Sequence, residues 1–231
     1  MRLSRKFFNR PTVAVAKELL GKYLCRRIAG KVIRAKITET EAYCGTKDLA
    51  CHASKGLTPR TKIMFGPPGY AYVYMIYGMY HCLNIVTERK NYPAAVLIRS
   101  CELINPKHEI LNPKQNPKIL NSKSSNVCPD CFAIEDPRFA NANRENFGNS
   151  NFEFVSNFGI RISNLKLNGP GILCRELKID RRLNGVDICK SRELWIEDGE
   201  SINPSQIKKG KRIGVGYAGK WRDKMWRFWY N

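Results

Sequence analysis

Between Lys62 and Glu88 the chain carries no charged residue, and the few structures open to such a stretch constrain the whole molecule. A membrane-spanning helix needs about 20 consecutive apolar residues. Here the run is broken by Gly66-Pro67-Pro68-Gly69 and again by Gly78, and it contains polar His81 and Asn84, so no membrane span is expected. The Tyr, Ile, Val and Met between the breaks predict two strands instead, at 71–76 and 79–86, joined as a hairpin at Tyr77-Gly78. Tyr77 then stands at the hairpin tip.

Other elements follow from periodicity. Val13, Ala16, Leu19, Leu20, Tyr23 and Leu24 recur at helical spacing after Pro11, which predicts an amphipathic helix over 12–24. Residues 31–38 alternate, with Ile33, Ala35 and Ile37 on one face of a strand and Arg34 and Lys36 on the other. Continuing that period of two puts Glu39, Glu41 and Tyr43 on the apolar side. An inward carboxylate is costly unless it has a partner or a task. A bulge could rotate either Glu away, and one of the two could simply bridge to an Arg. A further strand is predicted at 94–100, with Ala95, Leu97 and Arg99 on one face. Gly169-Pro170-Gly171 opens a short helix with Ile172, Leu173 and Leu177 as its apolar face. Residues 193–196 and 212–215 are short strand candidates. The rings at Trp221, Trp226, Phe228, Trp229 and Tyr230 are expected mostly to close the core.

The chain has 231 residues, 43% of them hydrophobic, enough for one sizeable core. Residues 1–231 are therefore treated as a single domain. Forty Lys and Arg against 20 Asp and Glu give a net charge of +20, a balance that suits a polyanionic partner, above all nucleic acid. Lys208, Lys209, Lys211, Arg212, Lys220 and Arg222 form a basic cluster suited to phosphates. Nine cysteines, an odd number, follow an N-terminus without a secretory h-region, so a disulfide framework is not expected and a reducing cytoplasm is. From about 105 to 165, Asn, Pro, Ser and Lys dominate, as in a variable loop insertion. It contains Cys128-Pro129-Asp130-Cys131, a lone C-x-x-C without a second pair, which is weak for zinc and for redox chemistry.

The ordered motifs are more specific than any of these patterns. Glu39-Thr40-Glu41-Ala42-Tyr43, His52, Thr58-Pro59-Arg60, Tyr72 to Tyr80, Asn84 and Val96-Leu97-Ile98-Arg99 occur in that order. Gly169-Pro170-Gly171-Ile172-Leu173-Cys174, Asn184-Gly185 and Arg212-Ile213-Gly214-Val215-Gly216-Tyr217-Ala218-Gly219 follow. Together they resemble the alkyladenine (3-methyladenine) DNA glycosylases of bacterial type over nearly everything outside 105–165. Two departures stand out: the long insertion, and Ile172 where a Lys is common.

The resemblance implies a mixed α/β fold with a curved antiparallel sheet or open barrel, peripheral helices and a hairpin that enters DNA. It makes Glu41 the general base that activates the attacking water, held with Arg99 and the backbone carbonyl of Val215. The chemistry agrees, because breaking an N-glycosidic bond develops positive charge on the sugar, which a fixed carboxylate stabilises. Tyr43, His52 and Tyr74 would line the base pocket and Asn84 would screen the purine edge against guanine. Tyr77 would fill the gap left in the base stack. Thr58, Arg60, Met64 and Met79 would meet the DNA backbone or neighbouring bases. The implied function is excision of alkylated or deaminated purines from duplex DNA in base excision repair, leaving an abasic site. No motif places a Schiff-base Lys, so the activity is expected to be monofunctional. No metal or organic cofactor is expected, and the enzyme is expected to be a cytoplasmic, nucleoid-associated monomer. The rivals are a non-catalytic nucleic-acid-binding module and a metal-dependent nuclease, which would need clustered acids.

Overall fold

The long strand through Glu39 and Glu41 organises the molecule. In a computed structural model that describes residues 1–104 and 165–230, β2 (Lys31–Cys44) is 14 residues long, enough for two partners along one edge. Its first half pairs with β1 (Tyr23–Ile28), and its Glu39–Glu41 segment pairs with β9 (Arg227–Trp229). The opposite edge pairs with β5 (Ala94–Leu103). The main path runs β3 (Ala71–Ile76), β4 (Tyr80–Val86), β5, β2, β1 and β7 (Leu194–Glu197). Off this path, β6 (Lys166–Asn168) pairs with β5, and β8 (Lys208–Gly210) pairs with β9. Every pairing is antiparallel, and the path does not close on itself. Short helices at Arg5–Phe8, Thr12–Glu18 and Pro170–Glu176 complete the mixed α/β architecture. The insertion, with Cys128 and Cys131, lies outside the described residues.

One irregularity positions everything that follows. Pairing between β2 and β5 slips on one strand between Ile37 and Glu39 and on the other between Glu39 and Thr40. The two slips cancel in register, yet they invert the alternation on both strands. Ile37 and Cys101 face the main core, and beyond the slip so do Ala42, Val96 and Ile98. Simple continuation from Ile37 would have placed Glu41 and Tyr43 there. They face the other side, with Leu97 and Arg99, toward a smaller cluster of Cys51, Ala53, Met64, Tyr72, Val86 and Ala95.

Other expectations need adjustment. The first amphipathic helix ends at Glu18, and Tyr23 and Leu24 already belong to β1. Gly21, at φ +81°, turns the chain where any Cβ would lie 2.5 Å from the Glu200 carbonyl. Residues 212–215 form no strand, because the Ile213 amide is spent on a side chain instead of a ladder. In the helix at Pro170 the inward residues are Leu173, Cys174 and Leu177, while Ile172 points outward. Among the terminal rings, Phe228 is fully buried, and Trp226 and Tyr230 pack against the same core, so these rings do close the core.

Candidate active site

Glu41 has no solvent exposure. Its Oε1 accepts the Ile213 amide at 2.9 Å and lies 3.5 Å from Arg99 Nη1; its Oε2 accepts the Tyr43 hydroxyl at 2.8 Å. Burial raises the carboxyl's pKa above the ordinary Glu value, and Arg99, the amide and the phenol offset this only in part. Glu39, two residues earlier, bridges to both Arg99 and Arg227, whereas Glu41 meets Arg99 alone.

Tyr43, Arg99 and Ile213 also form part of the wall of a cavity of about 200 Å³, so Glu41 lies one hydrogen bond behind that wall. The rest of the lining is largely aromatic. His52 packs edge-on to Tyr74, ring centres 4.5 Å apart, and its Nδ1 meets the Tyr72 hydroxyl at 3.0 Å. Burial, with the nearby Arg60 charge, lowers the His52 pKa to about 4, which leaves the ring neutral at physiological pH. Asn84 is buried opposite Tyr72 and donates to the Tyr72 carbonyl at 3.4 Å. Val215 is buried in the wall, and its carbonyl accepts the Ala218 amide at 3.0 Å, leaving one lone pair unused by that bond.

At the mouth, the β3–β4 turn is built on positive φ at both Tyr77 (+50°) and Gly78 (+71°), closed by Met79 N–H on the Ile76 carbonyl. A primed turn of this kind suits the strand twist but is uncommon for a bulky residue such as Tyr. The Tyr77 side chain is 87% exposed. A large ring on a strained, solvent-facing tip beside an aromatic cavity has no role in the core.

The sequence matches the model of the Methylpurine-DNA glycosylase (MPG) family over residues 6–231. The chain belongs to the methylpurine-DNA glycosylase family. A Methanocella arvoryzae relative named "Putative 3-methyladenine DNA glycosylase" is 41% identical over 227 residues, 98% of this chain and 91% of that protein. Proteins of the same name from Alkaliphilus oremlandii (40% identical, 99% of this chain and 95% of that protein) and Legionella pneumophila (38%, 99% and 93%) are also similar. Membership makes the chain a DNA repair glycosylase, a hydrolase of N-glycosyl bonds.

Against this glycosylase family the site residues read from the motifs divide cleanly. Glu41, Arg99, Tyr43, His52, Tyr74, Asn84, Tyr77 and Val215 converge at or directly behind one cavity. Thr58 and Arg60 are not in its lining, though Arg60 stacks on Tyr74, which is. Thr58 is tied by its hydroxyl to Thr61 at 2.9 Å, and Arg60 lies over the Tyr74 ring at 5.2 Å. Met79 is exposed on the hairpin, whereas Met64 is buried in the cavity wall and has no surface to offer a DNA backbone. Arg212 is not a surface phosphate contact. Its side chain is fully buried in an ion pair with Asp48, with contacts of 2.6 and 2.9 Å. Its neighbours Lys208, Lys209, Lys211, Lys220 and Arg222 do remain exposed.

Sequence reasoning missed Asp48, Tyr72 and Tyr217. Asp48 gave a weak signal, as an Asp in a turn whose side chain can accept the amide two residues on, Ala50 N–H at 3.1 Å. Tyr72 and Tyr217 were indistinguishable from core rings. Among the described residues no group of three or more His, Cys, Asp or Glu side chains could hold a metal ion, and no helix is long and apolar enough to cross a membrane.

Proposed function

We propose that the chain excises alkylated or deaminated purines from duplex DNA by swinging the nucleotide into the Tyr43–His52–Tyr74 cavity, and that Glu41 is the general base. The observation that carries this reading is the fully buried Glu41, held by Ile213, Tyr43 and Arg99 directly behind an aromatic cavity whose mouth holds an exposed Tyr. Water entering from the cavity meets the carboxylate on its Arg99 side, where the contact is longest. As the glycosidic bond breaks, Glu41 takes the water proton, and its charge stabilises the oxocarbenium-like sugar. The Val215 carbonyl offers a second acceptor for that water. Tyr43 and Tyr74 stack on the base, and their faces suit an electron-poor alkylated purine. Neutral His52 offers a ring nitrogen to its edge, and Asn84 clashes with the exocyclic amine of guanine. Tyr77 fills the vacated stack from the minor groove. The product is an abasic site.

The test is single-turnover release of hypoxanthine, ethenoadenine and 3-methyladenine from duplexes by the native chain and by Glu41→Gln. Loss of the general base should slow release by about 10²- to 10⁴-fold, with DNA affinity retained. Equal release by both proteins would remove Glu41 from the chemistry. A non-catalytic binding module would release nothing in either form.

A further inference from the structure

Glu39 takes no part in the cavity wall, yet its bonds meet those of Glu41 on a single side chain. Arg99 spans the two acids: its Nε donates to Glu39 Oε1 at 3.1 Å, while Nη1 faces Glu41 Oε1 at 3.5 Å. Glu39 is itself held on three sides. Its Oε1 also accepts Arg227 Nη1 at 3.3 Å, and its Oε2 accepts the Ser100 hydroxyl at 3.0 Å. Ser100 Oγ in turn accepts the Gly169 amide at 3.3 Å, tying the array to the start of the Pro170–Glu176 helix. The inverted alternation of β2 and β5 does not bring Glu39, Glu41 and Arg99 together, since they share a face in either arrangement; it turns that face from the main core toward the cavity.

We propose that Glu39 is a positioning residue for the glycosylase reaction: it grips the Nε edge of Arg99 and so keeps Nη1 aimed at Glu41. The inference rests on the reading of Glu41 as the base. A guanidinium fixed at one edge cannot swing to form a tight two-point pair with Glu41. Its single charge is also divided between two acids, so Glu41 is held in place without being neutralised. The charged and titratable groups around Glu41 are Arg99 from β5, Cys82 from β4, Arg227 from β9, Glu39 and Tyr43 from its own strand, and the Asp48–Arg212 pair behind Tyr43.

Two neutral variants test this by moving the acid limb of the rate in opposite directions. Glu39→Gln removes a like charge near Glu41, so the midpoint of the acid limb in single-turnover hypoxanthine release should fall. The plateau rate should drop roughly 10- to 100-fold as Arg99 loses a charge-assisted anchor, with DNA affinity unchanged. Arg227→Gln removes the cation that offsets Glu39, so the midpoint should rise. Ser100→Ala keeps every charge and should cost several-fold in rate with no midpoint shift; it carries the positioning test with Arg227→Gln if Glu39→Gln does not fold. If midpoint and plateau stay in place in all the folded variants while Glu41→Gln is inactive, Glu39 is merely structural and the base assignment stands. If Glu41→Gln releases hypoxanthine at the native rate, the base assignment itself fails.

Discussion

Two buried acid–arginine pairs lie on either side of Tyr43, and they are built for opposite ends. Asp48 and Arg212 are both sealed from solvent and meet through two contacts of 2.6 and 2.9 Å. Asp48 also accepts the Cys44 and Ala50 amides, and Arg212 donates to the Ala42 and Trp221 carbonyls. Arg212 is further held over Tyr43 and Trp226, 4.8 and 5.1 Å from the ring centres. Glu41 and Arg99 meet at one distance of 3.5 Å, and Arg99 is shared with Glu39. The difference separates an acid whose four acceptor positions are all taken from one with three partners, the third at 3.5 Å. The Asp48–Arg212 pair, in which Asp48 accepts four hydrogen bonds while Arg212 Nε is left without a partner, ties the 212–218 loop to β2 and so delivers the Ile213 amide and Val215 to the site. The Glu41–Arg99 pair leaves an acid with unspent capacity behind a cavity.

The largest effect expected from this contrast is on stability. Asp48→Ala leaves Arg212 buried without its anion, which should cost about 3–5 kcal/mol and lower the melting temperature by roughly 10 °C in a chain of this size. Base release should fall as well, because the Ile213 amide loses its anchor. A melting temperature within about 2 °C of the native value would break the comparison from the structural side.

That contrast was only half legible in the sequence. The strand at 71–76 and the hairpin tip follow from β-forming residues between Gly and Pro breaks, and the row of Ala95, Leu97 and Arg99 follows from alternation. Glu41 was placed inside for a reason that the fold revises, since period-two continuation aims it at the main core and the paired slips aim it at the cavity. Periodicity cannot show a slip that cancels in register. In the sequence Arg212 stands among Lys208, Lys209, Lys211 and Lys220 and so looks like a phosphate contact, because its partner Asp48 is 164 residues away. β8 and β9 were missed because three-residue strands carry too little pattern to separate them from a basic, aromatic tail.

A smaller effect sharpens the comparison by exchanging arginine for lysine in each pair. Arg212→Lys cannot reproduce two contacts to Asp48 and two to carbonyls with one ammonium, so it should lose about 2 kcal/mol of stability. Arg99→Lys keeps a point charge beside Glu41, and its melting temperature should stay within about 2 °C of native. Its rate of release should fall roughly tenfold, because only a fork can touch Glu39 and Glu41 together. Melting curves and single-turnover rates on both proteins give the crossover. The same pattern in both variants would mean that the two pairs do one job.

The smallest effect has the opposite sign. The folded pKa of Glu41 is raised by burial, so its contribution to stability is fully present below the ordinary Glu range and is lost as pH rises through the raised value. Above that raised value the native fold holds a partly uncompensated charge. Glu41→Gln removes that charge, keeps a carbonyl for the Ile213 amide, and lets the Tyr43 hydroxyl turn to accept from the new amide. At pH 7.5 the variant should melt about 2–4 °C above the native chain, a gain of roughly 1 kcal/mol. At pH 4, where the native carboxyl is protonated, the two curves should coincide. The native rate of base release should rise with pH over the same window in which the native fold loses stability, since both follow one deprotonation. A Glu41→Gln protein less stable than native at pH 7.5 would mean that the Glu41 site is as saturated as that of Asp48, and the distinction between the pairs would disappear.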